Sequence, residues 1–184
     1  MAQSGKSVHL ALLRGINVGG ANKLAKTDLI DLFAGAGCSD VRTFIQSGNV
    51  IFQATSSQVR GLSDRVSRQI EEHFGLRVPV VLRTKEELGG SIRRNPFLAA
   101  GAPEKTLHLY FLSNTPTGRD VATLDPDRST PDAFQVLGRE VYLRLPNGMA
   151  RTKLTNAYFD SRLRTISTAR NWNTVLQLYE LMCG

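Results

Sequence analysis

The order of apolar runs and helical stretches between residues 8 and 82 restricts the possible folds more than any other sequence feature. Residues 8–14 are apolar almost throughout, as in a buried strand, and a helical pattern follows them. Two β-rich runs come next, VRTFIQ and VIFQA, and then a second helical pattern and the run VPVVL. This order, strand, helix, strand, strand, helix, strand, predicts an α+β fold with a ferredoxin-like βαββαβ unit in the N-terminal half.

The helical patterns carry their own start and stop signals. The first has Gly35 and Gly37 at its end and an apolar face of Leu29, Leu32, Phe33 and Ala36. The second predicts one long helix with Thr55 as a cap and Gly75 as its end. Its apolar stripe consists of Val59, Leu62, Val66 and Ile70.

The SGN segment between the two β-rich runs predicts a hairpin. If Gly48 and Asn49 form a two-residue loop, Ile45 lies opposite Phe52, and Ser47 lies opposite Val50. This register places Ile45, Val50 and Phe52 on the same face. In the run VPVVL, the proline favours the start of a strand or an edge strand.

The second half predicts a strand, a short helix, two strands and a helical end. The strands are TLHLYFL, AFQVL and EVYLRL, and the last two form a hairpin around Gly138 and Arg139. Thr168 is the expected cap of the final helix, whose apolar stripe includes Trp172 as a core residue. Because the order resembles that of the first half, we expect a structural duplication. The predicted subdomains are 1–84 and 85–184, packed as one compact unit.

Charge and cysteine content suggest the kind of partner and the compartment. The chain of 184 residues has a net charge of +7, which favours polyanionic partners. Cys38 and Cys183 cannot form a zinc site or a disulfide framework by themselves, and reduced thiols in a cytosol are expected. The chain lacks an apolar signal core and a run long enough to span a bilayer. These features predict a cytoplasmic protein without membrane contact.

The most unusual segment is LLRGINVGG, a strand end followed by a glycine-rich loop. In a βαββαβ sheet, this loop and the turn between the second and third strands lie at the same edge. Glycine backbone N–H groups can converge on an anion, and arginine can bind it with two donors. The sequence therefore predicts a site for a phosphorylated small molecule or a nucleotide. Its candidate residues are Arg14, Gly15, Asn17, Gly19, Gly20, Asn22, Lys23, Gln46, Ser47, Gly48 and Asn49, with Lys153, Arg170 and Asn171 from the second half.

Two other interpretations stay open at this stage. Glycines in such a connection also serve purely to allow a tight path, so the loops could belong to a protein-interaction module. A nucleic-acid-binding module is the other alternative, because RNA-recognition sheets stack bases on an open face. On the hairpin, the residues facing away from the helices would be Phe44, Gln46, Ile51 and Gln53.

No set of residues indicates catalysis. His9, His73 and His108 are not spaced as metal ligands or as partners of a nucleophile, and Cys38 has no activating neighbour in the sequence. We expect no metal site and lean against an enzyme. The sequence identifies no cofactor and leaves the oligomeric state open.

Four segments together resemble a family of bacterial proteins grouped as domain of unknown function 1697. They are ALLRGINVGGANKL, VRTFIQSGNVIF, GMARTKLT and TARNWNTV, and the resemblance extends over essentially the whole chain. The family's glycine loop corresponds to residues 14–20, its turn to residues 47–49, and its later lysine to Lys153. Its arginine-asparagine-tryptophan signature corresponds to residues 170–172. One departure is Lys26, where many relatives have methionine. The resemblance implies an α+β fold with ferredoxin-like character and no established activity.

Overall fold

Two four-stranded antiparallel sheets with helices form the architecture of the protein. They are seen in a computed structural model whose described residues are 5–17, 22–45 and 48–184. The chain divides into two compact units, Met1–Glu87 with Tyr179–Gly184, and Leu88–Leu178. The predicted α+β class is confirmed.

The first sheet has the strand order β2-β3-β1-β4, so β1 pairs with both β3 and β4. Pro79 precedes β4, an edge strand, as its lack of a backbone N–H favours. The elements are β1 Ser7–Leu13, α1 Lys26–Gly35, β2 Ser39–Phe44, β3 Asn49–Ala54, α2 Ser56–Val59, α3 Leu62–Phe74 and β4 Val80–Thr84.

The core of this unit lies between one face of the sheet and the helices. Side chains alternate along a strand, so Ala11 and Leu13 of β1 share a face with Phe52 of β3. Phe33 of α1 is fully buried and lies 5.2 Å from the ring of Phe52. The apolar positions read from the sequence thus form the core, which also includes Leu29, Leu62, Val66 and Ile70.

The predicted hairpin register was wrong by a shift of the turn. Phe44 pairs with Asn49 and Thr43 with Val50, so Ile45 is in the turn and does not face Phe52. Asn49 belongs to β3, where its side-chain amide donates to the Phe44 carbonyl over 3.1 Å. Asn49 is buried, and its side-chain amide bonds to the backbone of Phe44, the residue with which it pairs in the sheet. It is therefore a strand residue and not a loop residue.

The predicted long helix is two helices. Thr55 caps α2, with its hydroxyl accepting from the Gln58 N–H, and Gly75 ends α3 in the left-handed conformation, as expected. Between them Gly61 has φ 67, which lies outside the helical region and separates the two segments. Leu62, Val66 and Ile70 still face the core because α3 begins directly after the break.

The second sheet has the strand order β6-β7-β5-β8. Gly138 and Arg139 connect β6 to β7 as predicted, with Gly138 at φ 62. The elements are α4 Lys85–Arg93, α5 Pro96–Ala99, β5 Leu107–Leu112, α6 Gly118–Val121, β6 Ala133–Leu137, β7 Glu140–Arg144, α7 Asn156–Leu163, β8 Ser167–Asn171 and α8 Trp172–Cys183. Short 3-10 helices occupy Glu104–Thr106 and Met149–Arg151.

Aromatic side chains dominate the core of the second unit. Phe159 of α7 contacts Tyr110, Phe134 and Tyr158, with ring centroids 5.3–5.5 Å apart in edge-on arrangements. Such pairs contribute about 0.5–1.5 kcal/mol each beyond the area they bury. Trp172 is 1% exposed, which confirms its prediction as a core residue.

Strand β8 is absent from the sequence-based prediction, and its presence changes the start of the last helix. Thr168 lies inside β8, where it pairs with Phe111, so it does not cap α8. The cap is Asn171, whose side-chain oxygen accepts from the Thr174 N–H over 2.8 Å. Arg170 is accordingly a strand residue and not part of the first helical turn.

Candidate functional site

The loop after β1 begins between two neighbouring strand ends. The Leu13 N–H donates to the Gly48 carbonyl over 2.7 Å on one side, and the Arg14 N–H donates to the Pro79 carbonyl over 3.0 Å on the other. The expected meeting of this loop with the β2–β3 turn is therefore present. These backbone N–H groups are already used within the protein and cannot bind a ligand.

Gly48 lies in close contact with the loop. A Cβ at this position would come within 2.9 Å of Leu13 Cβ, Leu13 O and Ile16 Cγ1, and Gly48 has φ 73. Glycine is required here by the close approach as well as by the backbone conformation. Gly19, Gly20, Gln46 and Ser47 lie outside the described residues.

Two asparagines hold the loop closed. The Asn17 N–H donates to the Asn22 carbonyl over 3.1 Å, and the Asn17 side chain both donates to and accepts from the backbone of Leu24. The Asn22 side chain donates to the Gly15 carbonyl over 3.0 Å. Both asparagines have positive φ, 54 and 49, a region that asparagine tolerates better than most residues. Asn17 and Asn22, predicted as ligand contacts, thus have an architectural role.

The charges around the loops are mixed. Lys23 is exposed and Arg14 is half-buried, so positive charge is present at the loop after β1. At the start of α1, however, an Asp28 carboxylate oxygen accepts from the Ala25 N–H over 3.2 Å. This carboxylate occupies a backbone donor at the start of α1 and makes that end of the helix unfavourable for an anion. Its signal was the position three residues after the cap.

Ile45, in the turn beside Gly48, has an unusual backbone conformation. It is 48% exposed and has φ 55, which is strongly disfavoured for a β-branched residue. The hairpin register predicted from the sequence places Ile45 on the core face, so an exposed turn position was not expected for this residue.

The three candidates from the second unit have different environments. Arg170 is buried, and its guanidinium donates to the Thr168 hydroxyl over 2.9 Å and to the Ala169 carbonyl over 2.7 Å. Burial lowers the pKa of Arg170 to about 10. Asn171 caps α8, whereas Lys153 is exposed and its backbone is bonded to Ser129 and Arg128.

The sheet face considered for RNA is not open. Ile51 is 2% exposed, and Phe44 on the same face is half-buried. Stacking of bases requires exposed aromatic side chains on the sheet. The described part of this face therefore lacks the surface that the RNA interpretation needs.

His9, His108 and Cys38 are in buried environments that suppress ionisation. Burial lowers the pKa of His9 and of His108, and burial raises the pKa of the Cys38 thiol. His9 stacks on Phe52 with centroids 5.5 Å apart, which suits a core residue. Within residues 5–17, 22–45 and 48–184, no three metal-binding side chains of the His, Cys, Asp or Glu type lie together.

Fold and site together define an α+β protein with two four-stranded antiparallel sheets and a glycine-containing loop edge on the first. The sequence model of the family described as "Protein of unknown function (DUF1697)" matches residues 7–142, and the chain belongs to this family. No curated protein matches the chain.

Among solved structures, the following has a similar fold over nearly the whole chain. It is described as the conserved bacterial protein SP0830 from Streptococcus pneumoniae, with a TM-score of 0.65 and 20% sequence identity. The similarity covers 96% of this chain and 99% of that chain. Over the described residues, no helix has both the length and the apolar character needed to cross a membrane.

Proposed function

We propose that the loop after β1, together with the β2–β3 turn, binds the phosphate group of a small molecule or nucleotide. The observation that carries the proposal is the contact between the two loops, in which Leu13 bonds to Gly48 and Gly48 packs against Ile16. Two glycine-containing loops meet at one end of a rigid sheet. Binding residues are often found on loops that a rigid scaffold positions in this way.

The strained turn gives independent support. Ile45 at φ 55 costs of the order of 1–3 kcal/mol, and its 48% exposed side chain gains little from core packing in return. Strained backbone of this kind is concentrated at binding and active sites. The strain therefore favours a functional turn over a purely connecting one.

The described contacts divide the candidate residues into two groups. Asn17, Asn22 and Asn49 bond to the protein's own backbone and form the scaffold. The proposed contacts among the described residues are Arg14, Gly15 and Lys23, because arginine and lysine supply charge and Gly15 is exposed. Gly19, Gly20, Gln46 and Ser47 complete the proposed site. Asp28 restricts the anion to the side of the loop away from the start of α1.

Thermal unfolding tests the proposal directly. A ligand at a hundred times its dissociation constant stabilises the folded state by about 2.7 kcal/mol. The probes are inorganic phosphate, AMP and glucose 6-phosphate, each compared with sodium chloride at the same ionic strength. We expect a stabilisation by at least one phosphate probe that chloride does not reproduce; its absence with all three would end the proposal.

Matched variants locate the effect. Lys23→Gln removes an exposed charge from the loop, and Lys105→Gln removes an exposed charge from the second unit. We expect the phosphate effect to weaken in Lys23→Gln and in Arg14→Gln, and to persist in Lys105→Gln. Equal weakening in Lys105→Gln would show a general response to net charge instead of a site.

Two further features belong to the same proposal. Cys38 and Cys183 are both free thiols, which supports a cytoplasmic location.

We also propose that the subdomains 1–84 and 85–184 are ferredoxin-like copies of one unit. Supporting this, the orders β2-β3-β1-β4 and β6-β7-β5-β8 correspond strand for strand. An experimental structure in which β1 and β5 do not superpose together with their neighbours would contradict the duplication.

A further inference from the structure

Strand β6 is an edge strand that carries none of the usual protection against pairing. It lies at the end of the order β6-β7-β5-β8, and its sequence AFQVL contains no charge, proline or glycine. Edge strands of this kind are templates for another strand, and most proteins block them with charges, bulges or proline. The absence of all three in β6 requires an explanation.

The corresponding edge strand of the first sheet is protected. Strand β2 has a register shift between Ser39 and Arg42, and Asp40 within it has φ 48. Asp40 and Arg42 are charged and exposed. A bulge and two charges make strand addition unfavourable there. The same sheet position is therefore blocked in one unit and open in the other.

The register of the β6–β7 hairpin shows which backbone groups face outward. Leu137 and Glu140 close a two-residue turn, and Gln135 pairs with Tyr142. In an antiparallel ladder, hydrogen-bonded pairs alternate with pairs that are not bonded to each other. The backbone groups of Phe134 and Val136 consequently point away from β7. Among the described residues, no hydrogen bond to these groups is found.

We infer that β6 pairs with β6 of a second copy of this chain, antiparallel and centred on Gln135. In this register, the N–H and C=O groups of Phe134 bond to those of Val136 in the second copy, and the reverse pair forms by symmetry. An aromatic residue opposite a β-branched residue is a favourable cross-strand pair. Gln135 is exposed and would lie on the two-fold axis of the dimer. Its side-chain amide has both a donor and an acceptor, so it can bond to Gln135 of the second copy.

Charge at the ends of the strand favours a second copy as the occupant. Asp132 directly precedes β6, and Arg139 follows it in the turn. Antiparallel pairing brings the Asp132 end of each strand to the Arg139 end of the other. Opposite charges thus meet at both ends, which also disfavours a parallel arrangement. This pairing is independent of the proposed anion site.

The pairing involves five-residue strands, so its area is small and the dimer is expected to be weak. Sedimentation velocity from micromolar to millimolar protein should therefore show a monomer–dimer equilibrium. A protein that remains monomeric over this range, or that forms only larger assemblies, would overturn the inference.

The decisive variant is Val136→Pro, with Val136→Ala as its matched control. Proline removes the outward N–H of residue 136, which the β6–β7 ladder does not use. The Val136→Ala variant also lacks the valine side chain, but it keeps the backbone N–H of residue 136. Val136→Pro should raise the dimer dissociation constant about 10- to 100-fold relative to Val136→Ala, since the lost bond occurs twice in a symmetric dimer. Equal dimerisation by both variants would contradict the inference.

Hydrogen exchange of the wild-type chain provides a readout that does not depend on a variant. The amide protons of Phe134 and Val136 should become protected as protein concentration rises. Protection that is already complete in the monomer would show that another part of the chain covers the edge. That result would also overturn the inference.

Discussion

The backbone N–H of Leu13 donates a hydrogen bond to the carbonyl oxygen of Gly48 over 2.7 Å, and this bond joins the end of β1 to the β2–β3 turn. The equivalent position in the second unit has the same connection, from Leu112 to the Arg139 carbonyl over 2.8 Å. In each sheet, one of the two central strands is thus tied to the neighbouring hairpin turn. The first of these connections also explains why position 48 must be glycine.

Gly48→Ala should destabilise the protein by about 2–4 kcal/mol. The new Cβ would lie 2.9 Å from three atoms of Leu13 and Ile16, and alanine at φ 73 is strained. Urea unfolding followed by circular dichroism measures the change. Gly15→Ala is the control, because φ is 69 but no atom lies within 4 Å of the new Cβ. It should cost about 1–2 kcal/mol. Equal losses for both variants would exclude the steric explanation.

Much of the fold could be predicted because hydrophobic periodicity decides which elements form. The continuous apolar run in β1 results from burial on both faces of the sheet, and the stripe on α3 results from burial on one face. Both patterns are visible in a sequence. The register of the β2–β3 hairpin was not predictable in this way. Propensity rules do not place isoleucine at positive φ, so a turn that includes Ile45 contradicts the local signal.

The missed strand has a different cause. Ser167–Asn171 has the sequence STARN, which lacks the run of β-branched and aromatic residues typical of strands. Pairing with β5 determines its conformation, and tertiary contacts of this kind leave little trace in local sequence. Because this five-residue strand was not predicted, the start of the last helix was placed too early. The predicted cap was therefore Thr168, whereas the observed cap is Asn171.

Asn171 allows a test that separates a cap from a ligand contact. Asn171→Ala removes the acceptor for the Thr174 N–H and should cost about 1 kcal/mol, while Asn171→Asp keeps an acceptor and should cost little. Denaturant midpoints of the two variants measure this. If Asn171 instead bound an anion, Asn171→Asp would retain stability but lose any stabilisation by phosphate. The cap role predicts that the phosphate response is unchanged in Asn171→Asp.

The candidate site illustrates a general limit of sequence reading. Asparagine has a donor and an acceptor on a short side chain, so it suits a ligand and a backbone contact equally well. Asn17, Asn22, Asn49 and Asn171 were all predicted as ligand contacts, and all four bond to the protein backbone. Only coordinates distinguish these roles. The proximity of the two loops, in contrast, followed from topology and was predictable.

Stability should decrease on mild acidification, partly because of His108. Burial lowers its folded-state pKa below the ordinary 6.5, so the unfolded state binds the proton more readily. The contribution of neutral His108 to the free energy of unfolding is complete above pH 6.5, and it is lost as the pH falls through the lowered pKa of the folded state. Urea midpoints at pH 7.5, 6.5 and 5.5 measure the effect.

His108→Gln should reduce this pH dependence, since a neutral amide does not titrate. His9 acts in the same direction, because burial also lowers its pKa, so the double variant with His9→Gln should reduce the dependence further. If the urea midpoint of the double variant changed with pH as much as that of the wild type, other groups would dominate the pH dependence. Carboxylates titrate mainly below this range, which limits their contribution.

The two cysteines should react with thiol reagents at very different rates. Cys183 is exposed, whereas Cys38 is 7% exposed and burial raises the pKa of its thiol. The thiolate is the reactive form, so Cys38 is disadvantaged by both access and ionisation. A disulfide reagent followed by absorbance should give a fast and a slow phase. Cys183→Ser should abolish the fast phase, and Cys38→Ser should abolish the slow one. In guanidinium chloride the difference should disappear, because unfolding exposes both thiols. A fast phase that is lost in Cys38→Ser would instead mean that the first helix and β2 open readily around this thiol, which their packing in the core argues against.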